Sequence, residues 1–330
     1  MYQLGAKWKL WELQNVFQKE VSSITLRGYS KESPVSLPAD FYAFEKRLSV
    51  EKIASKYCPT RRDVYFEIKR GIKQKSVNRT WGQTAGYLIE EYCKGLLEYF
   101  HKLAKNPEGL YYQRIQELVD EYSQSFWTTH ARKIQDLRKK ASNSEETPER
   151  LFFLLQQTAK YELVLLGADY EFSQNSGLEF VPLIDSIPIK FDPETLTIAP
   201  DEHLGLGKTT TPDFIIMSPM PVMGDLKSGN SLKSFHLNTI AGFALAYESQ
   251  HKVNVDFGII YFLETHSKQM NFAQSYVFVI DDLLRKQFLS TRDQLYKMLQ
   301  SDDDPPLADA KDYETHCLFC KYHAKCYPEG

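Results

Sequence analysis

Apolar positions recur every third or fourth residue through the first half of the chain, then change to alternation and short continuous runs in the second. Trp8, Trp11, Leu13 and Phe17 set a helical period over Lys7 to Val21. Ser49 opens a short helix through Val50, Ile53, Ala54 and Tyr57. Leu88, Tyr92, Leu96, Leu97 and Phe100 mark a long helix from Thr80 to Ala104, and Cys93 sits among them as a small core residue. Leu110 to Lys140 keeps the helical period, and Pro148 starts a further helix through Leu151, Leu155, Ala159 and Leu163. Residues from about 75 to 166 read as one helical block.

From Ala168 onward the pattern is strand-like, with strands expected at Tyr170 to Phe172, Glu179 to Leu183 and Ser186 to Phe191. Asp213 to Met217 and Val222 to Lys227 flank Ser218-Pro219-Met220-Pro221 and predict a β-hairpin. Ser234 to Glu248 is a helix whose small residues, Ala241, Gly242, Ala244 and Ala246, let it lie close on a sheet. Asp256 to Leu263 is a continuous apolar run, expected as a central strand, and Gln274 to Ile280 alternates like another. Asp281 caps a helix through Leu283, Phe288 and Leu295, and Ser301 to Asp309 is an acidic, proline-containing linker. The expected fold class is α/β, a mixed sheet flanked by helices with a helical insertion.

Composition narrows the function only a little. The chain has 330 residues, 42% of them hydrophobic, and a formal net charge of −3, so any contact with nucleic acid must come from local patches. The densest basic stretch is Arg61, Arg62, Lys69, Arg70, Lys73, Lys75 and Arg79. Interleaved with Tyr65 and Phe66, it could track a phosphate backbone, with Arg61 and Arg62 as candidate DNA contacts; the alternative is a solvated helix face. No apolar run approaches the ~20 residues of a membrane span, and an apolar signal core is missing, which predicts a cytoplasmic protein without membrane contact. Gly207-Lys208-Thr209 imitates the end of a phosphate-binding loop, but Glu202 stands where that loop needs glycine.

The hairpin carries the candidate chemistry. With the turn centred on Pro219, Asp213 faces Asp225, and Lys227 shares the face of Asp225 because side chains alternate along a strand. Cross-strand β-carbons lie roughly 5 Å apart. Two carboxylates at that spacing can hold Mg²⁺ or Mn²⁺, and the ammonium can position a water or neutralise developing charge. A second candidate centre is the C-terminal Cys317-x₂-Cys320-x₅-Cys326, with Cys58 as the natural fourth donor. Four thiolates suit a 4Fe–4S cluster; zinc is the alternative, with His316 or His323 able to replace a cysteine.

Pro212-Asp213, eleven residues, then Asp225-x-Lys227 resembles the PD-(D/E)xK nuclease pattern. With Cys58-Pro59-Thr60-Arg61-Arg62, Leu204-Gly205-Leu206, Tyr247-Glu248 and the three-cysteine tail, the chain resembles the CRISPR-associated RecB-like exonucleases that carry an iron–sulfur cluster, the Cas-four family, and within it the archaeal-type Csa-one branch. The resemblance covers about residues 49 to 328. It implies a restriction-endonuclease-like core, while the first 48 residues carry no recognised motif. The chain divides into four parts, expected to form one compact unit: 1–74, helical, with the first cluster cysteine; 75–166, the helical block; 167–300, the nuclease core; and 301–330, the linker and cluster tail. The resemblance also implies cleavage of single-stranded or tailed DNA with Mg²⁺ or Mn²⁺, in partnership with the CRISPR integrase that acquires spacers. Two positions depart from the family: Gly86 stands where a histidine is usual, and Thr239 where a glutamine is. Glu90, one helical turn beyond Gly86, is the candidate replacement ligand, the alternative being an ordinary surface acid. The competing function is a catalytically weakened DNA-end-binding subunit of the same complex.

Overall fold

The computed structural model describes residues 23–55, 57–73, 81–107, 110, 112–140, 147–180, 189–190, 196–217, 220–229, 232–264, 274–318 and 320–328. The helix expected over Lys7 to Val21 lies outside them, as do most residues of the strands expected at Glu179 to Leu183 and Ser186 to Phe191, of which Ile189 and Lys190 are described as strand. The early elements are short. Helix α1 (Val50–Ala54) is capped by Ser49, whose hydroxyl accepts the Lys52 N–H at 3.3 Å, and α2 (Arg62–Ile68) follows Cys58.

Four helices then build the block: α3 (Trp81–Lys105), α4 (Ile115–Thr129), α5 (Ala131–Lys140) and α6 (Pro148–Ser176). The single helix expected across Leu110 to Lys140 is broken at His130. Thr128 and Thr129 turn their hydroxyls back onto the carbonyls of Gln124 and Ser125, both at 2.9 Å, and the His130 ring nitrogen contacts the Phe126 carbonyl at 3.0 Å. Helix α6 runs ten residues past the expected end of the block, through Tyr170 to Phe172, which were expected as a strand. Leu163, Leu166, Gly167, Tyr170 and Ser173 extend its buried stripe at helical spacing, and the first stop is Gly177 in the left-handed region at φ 63°.

The sheet follows. Strands β1 (Ile189–Lys190), β2 (Phe214–Ile216) and β3 (Val222–Gly229) pair antiparallel in sequence. Helix α7 (Ser234–His251) crosses over to β4 (Phe257–Glu264), which pairs parallel to β3, and β5 (Gln274–Val279) returns antiparallel to β4. The result is a five-stranded mixed sheet in the order β1-β2-β3-β4-β5, with β3 in the middle. Helix α8 (Asp282–Gln300) closes it, capped by Asp281 as expected: the carboxylate accepts the Leu284 N–H at 2.8 Å.

Each sheet face buries its own core. Phe214, Ile216, Val222 and Leu226 pack on the helical block, while Ile215, Met223 and Ile260 pack under α7 and α8. The alternation along β2 and β3 thus places Asp225 and Lys227 on the α7 side. At Gly224 and Gly242 the lack of a side chain is required by space. A β-carbon at Gly224 would lie 2.2 Å from the Phe214 ring, and one at Gly242 would lie 2.5 Å from the Phe288 ring on α8, so α7 can approach α8 only because that residue is bare.

Buried charges fasten the chain's early segment to this frame. Glu248 on α7 is fully buried and accepts from Arg27, from the Gly28 and Val255 backbone, and from Arg285 at 2.7 and 3.1 Å. Glu248→Ala leaves two buried guanidinium groups without their shared acceptor. It should cost about 3–5 kcal/mol in urea-induced unfolding, the range for removing one partner of a buried pair. A loss below 1 kcal/mol, on the order of an exposed pair, would show that the network carries no net stability. Among the described residues no helix is long and apolar enough to cross a membrane.

Candidate functional site

The hairpin register is the expected one. Phe214 pairs with Gly224 and Ile216 with Val222, so the next step outward brings Asp213 against Asp225. Asp213 accepts the Leu226 backbone N–H at 2.7 Å, which fixes its carboxylate at the strand. Lys227 donates to Asp225 at 2.6 Å. The structure therefore gathers Asp213, Asp225 and Lys227 at one point at the centre of the sheet.

Asp225 is only 2% exposed, and its Oδ2 is buried without a hydrogen-bond partner. Burial pushes its carboxyl well above the usual carboxylate range; Lys227 pulls it back in part, and Asp213 adds to the push. For Lys227, burial favours the neutral amine, but Asp225 and Asp213 outweigh it and hold the ammonium above its ordinary value. A buried carboxylate oxygen without a donor, beside a second carboxylate, fits a divalent cation: oxygen donors of this kind suit Mg²⁺ or Mn²⁺.

Glu90 stands at this site from the α3 side, half-buried. Burial, then Asp213 and Glu91, push its carboxyl up to about 7, against the opposing pull of Lys94 and Lys227. It is thus within electrostatic reach of both Asp213 and Lys227. Among the described residues no three His, Cys, Asp or Glu side chains stand as a ready set around one ion, so Glu90 is a neighbour of the aspartate pair rather than a third donor already in place. Sequence reasoning missed two further neighbours. Glu51 on α1 acts on the Lys227 ammonium and accepts the Thr210 hydroxyl at 3.3 Å. His236, on the first turn of α7, lies near enough to Lys227 for that charge to depress its pKa. Neither belongs to a short motif with the hairpin; only the parallel crossover, which lays α7 back on β3, reveals His236.

The cysteines gather at a second place, where among the described residues they too form no ready set around one ion. Cys58, Cys317, Cys320 and Cys326 all line one small cavity, together with Arg62, Asp63, Tyr322 and Tyr327. Burial raises the thiol pKa values of Cys317, Cys320 and Cys326, and Cys58 adds to each. The tail is held in place by Tyr322, which is buried, donates to the Ile72 carbonyl at 3.2 Å and packs on the Phe66 ring. His323 is engaged with the Tyr313 hydroxyl at 3.0 Å, and His316 lies beside the Tyr57 ring. Cys93 is buried in the helical core, away from this cavity.

Arg61 and Arg62 are both tied within the chain. Arg61 takes a left-handed conformation, φ 62°, before α2 and donates to the Lys52 carbonyl. Arg62 donates to the Pro305 carbonyl and lies 5.0 Å over the Phe66 ring. Lys69 and Arg70 pair with Asp302 at 3.1 Å and Asp304 at 2.8 Å. The densest basic stretch is thus covered in part by the acidic linker that leads to the three-cysteine tail. Of the remainder, Lys75 and Arg79 lie outside the described residues.

Comparison with known proteins decides the family. The family model described as CRISPR-associated exonuclease Csa1 matches residues 1–326. The chain belongs to that family. A curated Csa1 relative, "CRISPR-associated exonuclease Csa1" from Saccharolobus solfataricus, is 32% identical over 125 residues, 38% of this chain. That match spans two fifths of the relative's own length. Within this Csa1 chain the two departures noted in the sequence have plain structural descriptions. Gly86 lies on α3 one turn before Glu90. Thr239 turns its hydroxyl onto the Phe235 carbonyl at 2.9 Å, inside its own helix.

Proposed function

We propose that this Csa1 chain is a divalent-metal-dependent exonuclease acting on single-stranded or tailed DNA, trimming spacer precursors alongside the CRISPR integrase, on a PD-(D/E)xK core stiffened by a 4Fe–4S cluster. The observation that carries the reading is the buried, unpartnered oxygen of Asp225 between Asp213 and Lys227. Asp213 and Asp225 would hold Mg²⁺ or Mn²⁺, which supplies Lewis acidity toward a phosphodiester and its attacking water. Lys227, anchored on Asp225, orients that water and offsets charge that builds on the phosphate. Cys58, Cys317, Cys320 and Cys326, around one cavity, are the donor set for the cluster. The test is Mn²⁺-dependent shortening of end-labelled single-stranded DNA by purified protein, with chelator as control. Binding of DNA ends without cleavage would favour the second reading, a DNA-end-binding subunit, which Gly86 and Thr239 support.

Glu90 gives this reading a pH signature. Its folded pKa of about 7 lies above the ordinary value near ~4.3, so its contribution to stability is full at low pH and is lost as pH rises through about 7. A cation bound beside it competes with that proton. The rise in melting temperature on adding Mn²⁺ should therefore grow between about pH 5 and about pH 8, and Glu90→Gln should flatten that growth. A pH-independent shift, the same in both proteins, would separate Glu90 from the metal.

A further inference from the structure

The first turn of α7 contains a side chain that neither the aspartate pair nor the cysteines account for. His236 is 7% exposed, and its Nδ1 accepts the Lys233 backbone N–H at 3.2 Å. A ring nitrogen that accepts carries no hydrogen, so the neutral imidazole holds its proton on Nε2. Burial, with Lys227 and Lys233, pushes the pKa down to about 4, so this tautomer persists at neutral pH. The Phe235 ring stands 4.4 Å away at 78°, and together with the cap it fixes the plane of the imidazole. Among the described residues the Nε2–H meets no acceptor. Its surroundings are cationic: the charges of Lys227 and Lys233 both act on it, and it sits in the first turn, at the positive end, of the 18-residue α7. A fixed neutral donor within electrostatic reach of two ammonium groups, in its own helix's first turn, suits an anion, and Lys227 stands against Asp225 of the pair that would bind metal.

We propose that His236 donates its Nε2–H to a non-bridging oxygen of the DNA phosphate held beside Lys227. The inference rests on the nuclease reading above. It assigns His236 a contact made with the substrate, distinct from metal binding by the aspartates and from water orientation by Lys227.

The test compares cleavage of single-stranded DNA carrying one phosphorothioate, as separate Rp and Sp isomers, by wild type and by three variants with Mn²⁺. His236→Leu removes donor and cap. His236→Asn keeps a cap acceptor but is too short to reach the phosphate. His236→Gln keeps both, its oxygen on Lys233 N and its amide nitrogen about where Nε2 stood. Wild type should discriminate between the isomers. Leu and Asn should cut the all-oxygen substrate about 10²-fold more slowly and lose most of that discrimination, while Gln recovers much of both. Should Leu fail to fold, Asn against Gln still decides. Wild-type discrimination in Asn, or equal rates in Asn and Gln with equal melting temperatures, overturns the contact while leaving the nuclease standing. Failure of wild type itself to cut DNA removes the nuclease reading and this inference with it.

Discussion

Lys227→Ala lowers Mn²⁺-dependent cleavage of single-stranded DNA by at least about 10²–10³-fold, the cost of removing one preorganised charge-stabilising group. Asp225→Asn is expected to lose as much, and the double variant no more than the worse single one, because groups that act as a unit are not additive. The two differ in stability. Burial makes the Asp225 carboxylate unfavourable even with Lys227 alongside. A carboxyl whose folded pKa is raised stabilises the fold fully only below its unfolded value near ~3.9, and that stabilisation is lost as pH rises through the folded pKa. An amide of the same shape has no such loss. Metal-free Asp225→Asn should therefore melt no lower than wild type at neutral pH, and the two melting curves should converge below about pH 4. An active Lys227→Ala protein, or an Asp225→Asn protein that melts well below wild type at neutral pH, would mean that the hairpin is structural rather than catalytic.

The second large effect concerns the cysteines. Protein purified without oxygen should be brown and hold about four irons per chain, as a Cys₄ cluster does. Cys58→Ser, Cys320→Ser and Cys326→Ser should each lose most of that iron, and Cys93→Ser should keep it, since Cys93 lies in the helical core. Cys58 and Cys317 are far apart in sequence, so a cluster that joins them closes a very long loop and should raise the melting temperature much as a cross-link does. Stoichiometric zinc without iron after anaerobic purification would replace the cluster with a mononuclear site. Full iron in Cys58→Ser would place the fourth ligand elsewhere.

The sequence revealed the local and periodic features and hid the long-range ones. The hairpin register followed from one proline-centred turn, and the caps at Ser49 and Asp281 and the strand after α7 followed from residue type and spacing. The break at His130 did not, because no glycine or proline marks it in the sequence. The strand expected at Tyr170 failed because aromatic and apolar residues suit either element, and packing of α6 on α4 decided between them. The basic stretch after Cys58 looked free along the chain; its partners, Asp302 and Asp304, lie more than 200 residues away. His236 and Glu51 were invisible for the same reason.

The fastening of residues 25–48 has a consequence for biosynthesis. Thr25 and Leu26 donate to the Asp282 carboxylate, Arg292 donates to the carbonyls of Val35, Ser36 and Leu204, and Tyr296 accepts the Leu48 N–H while donating to the Gly205 carbonyl. Asp282, Arg292 and Tyr296 all lie on α8, and the last two also reach the Leu204 and Gly205 carbonyls. As the chain leaves the ribosome, the helical block can form from contacts near in sequence, but the early segment's partners emerge far later, from His203 and Glu248 through to α8. The segment's apolar residues Val35, Leu37 and Leu48, buried in the finished protein, stay exposed for most of translation. Residues 25–48 are thus among the last to settle, and a nascent chain stalled before residue 282 would lack the α8 contacts that hold them.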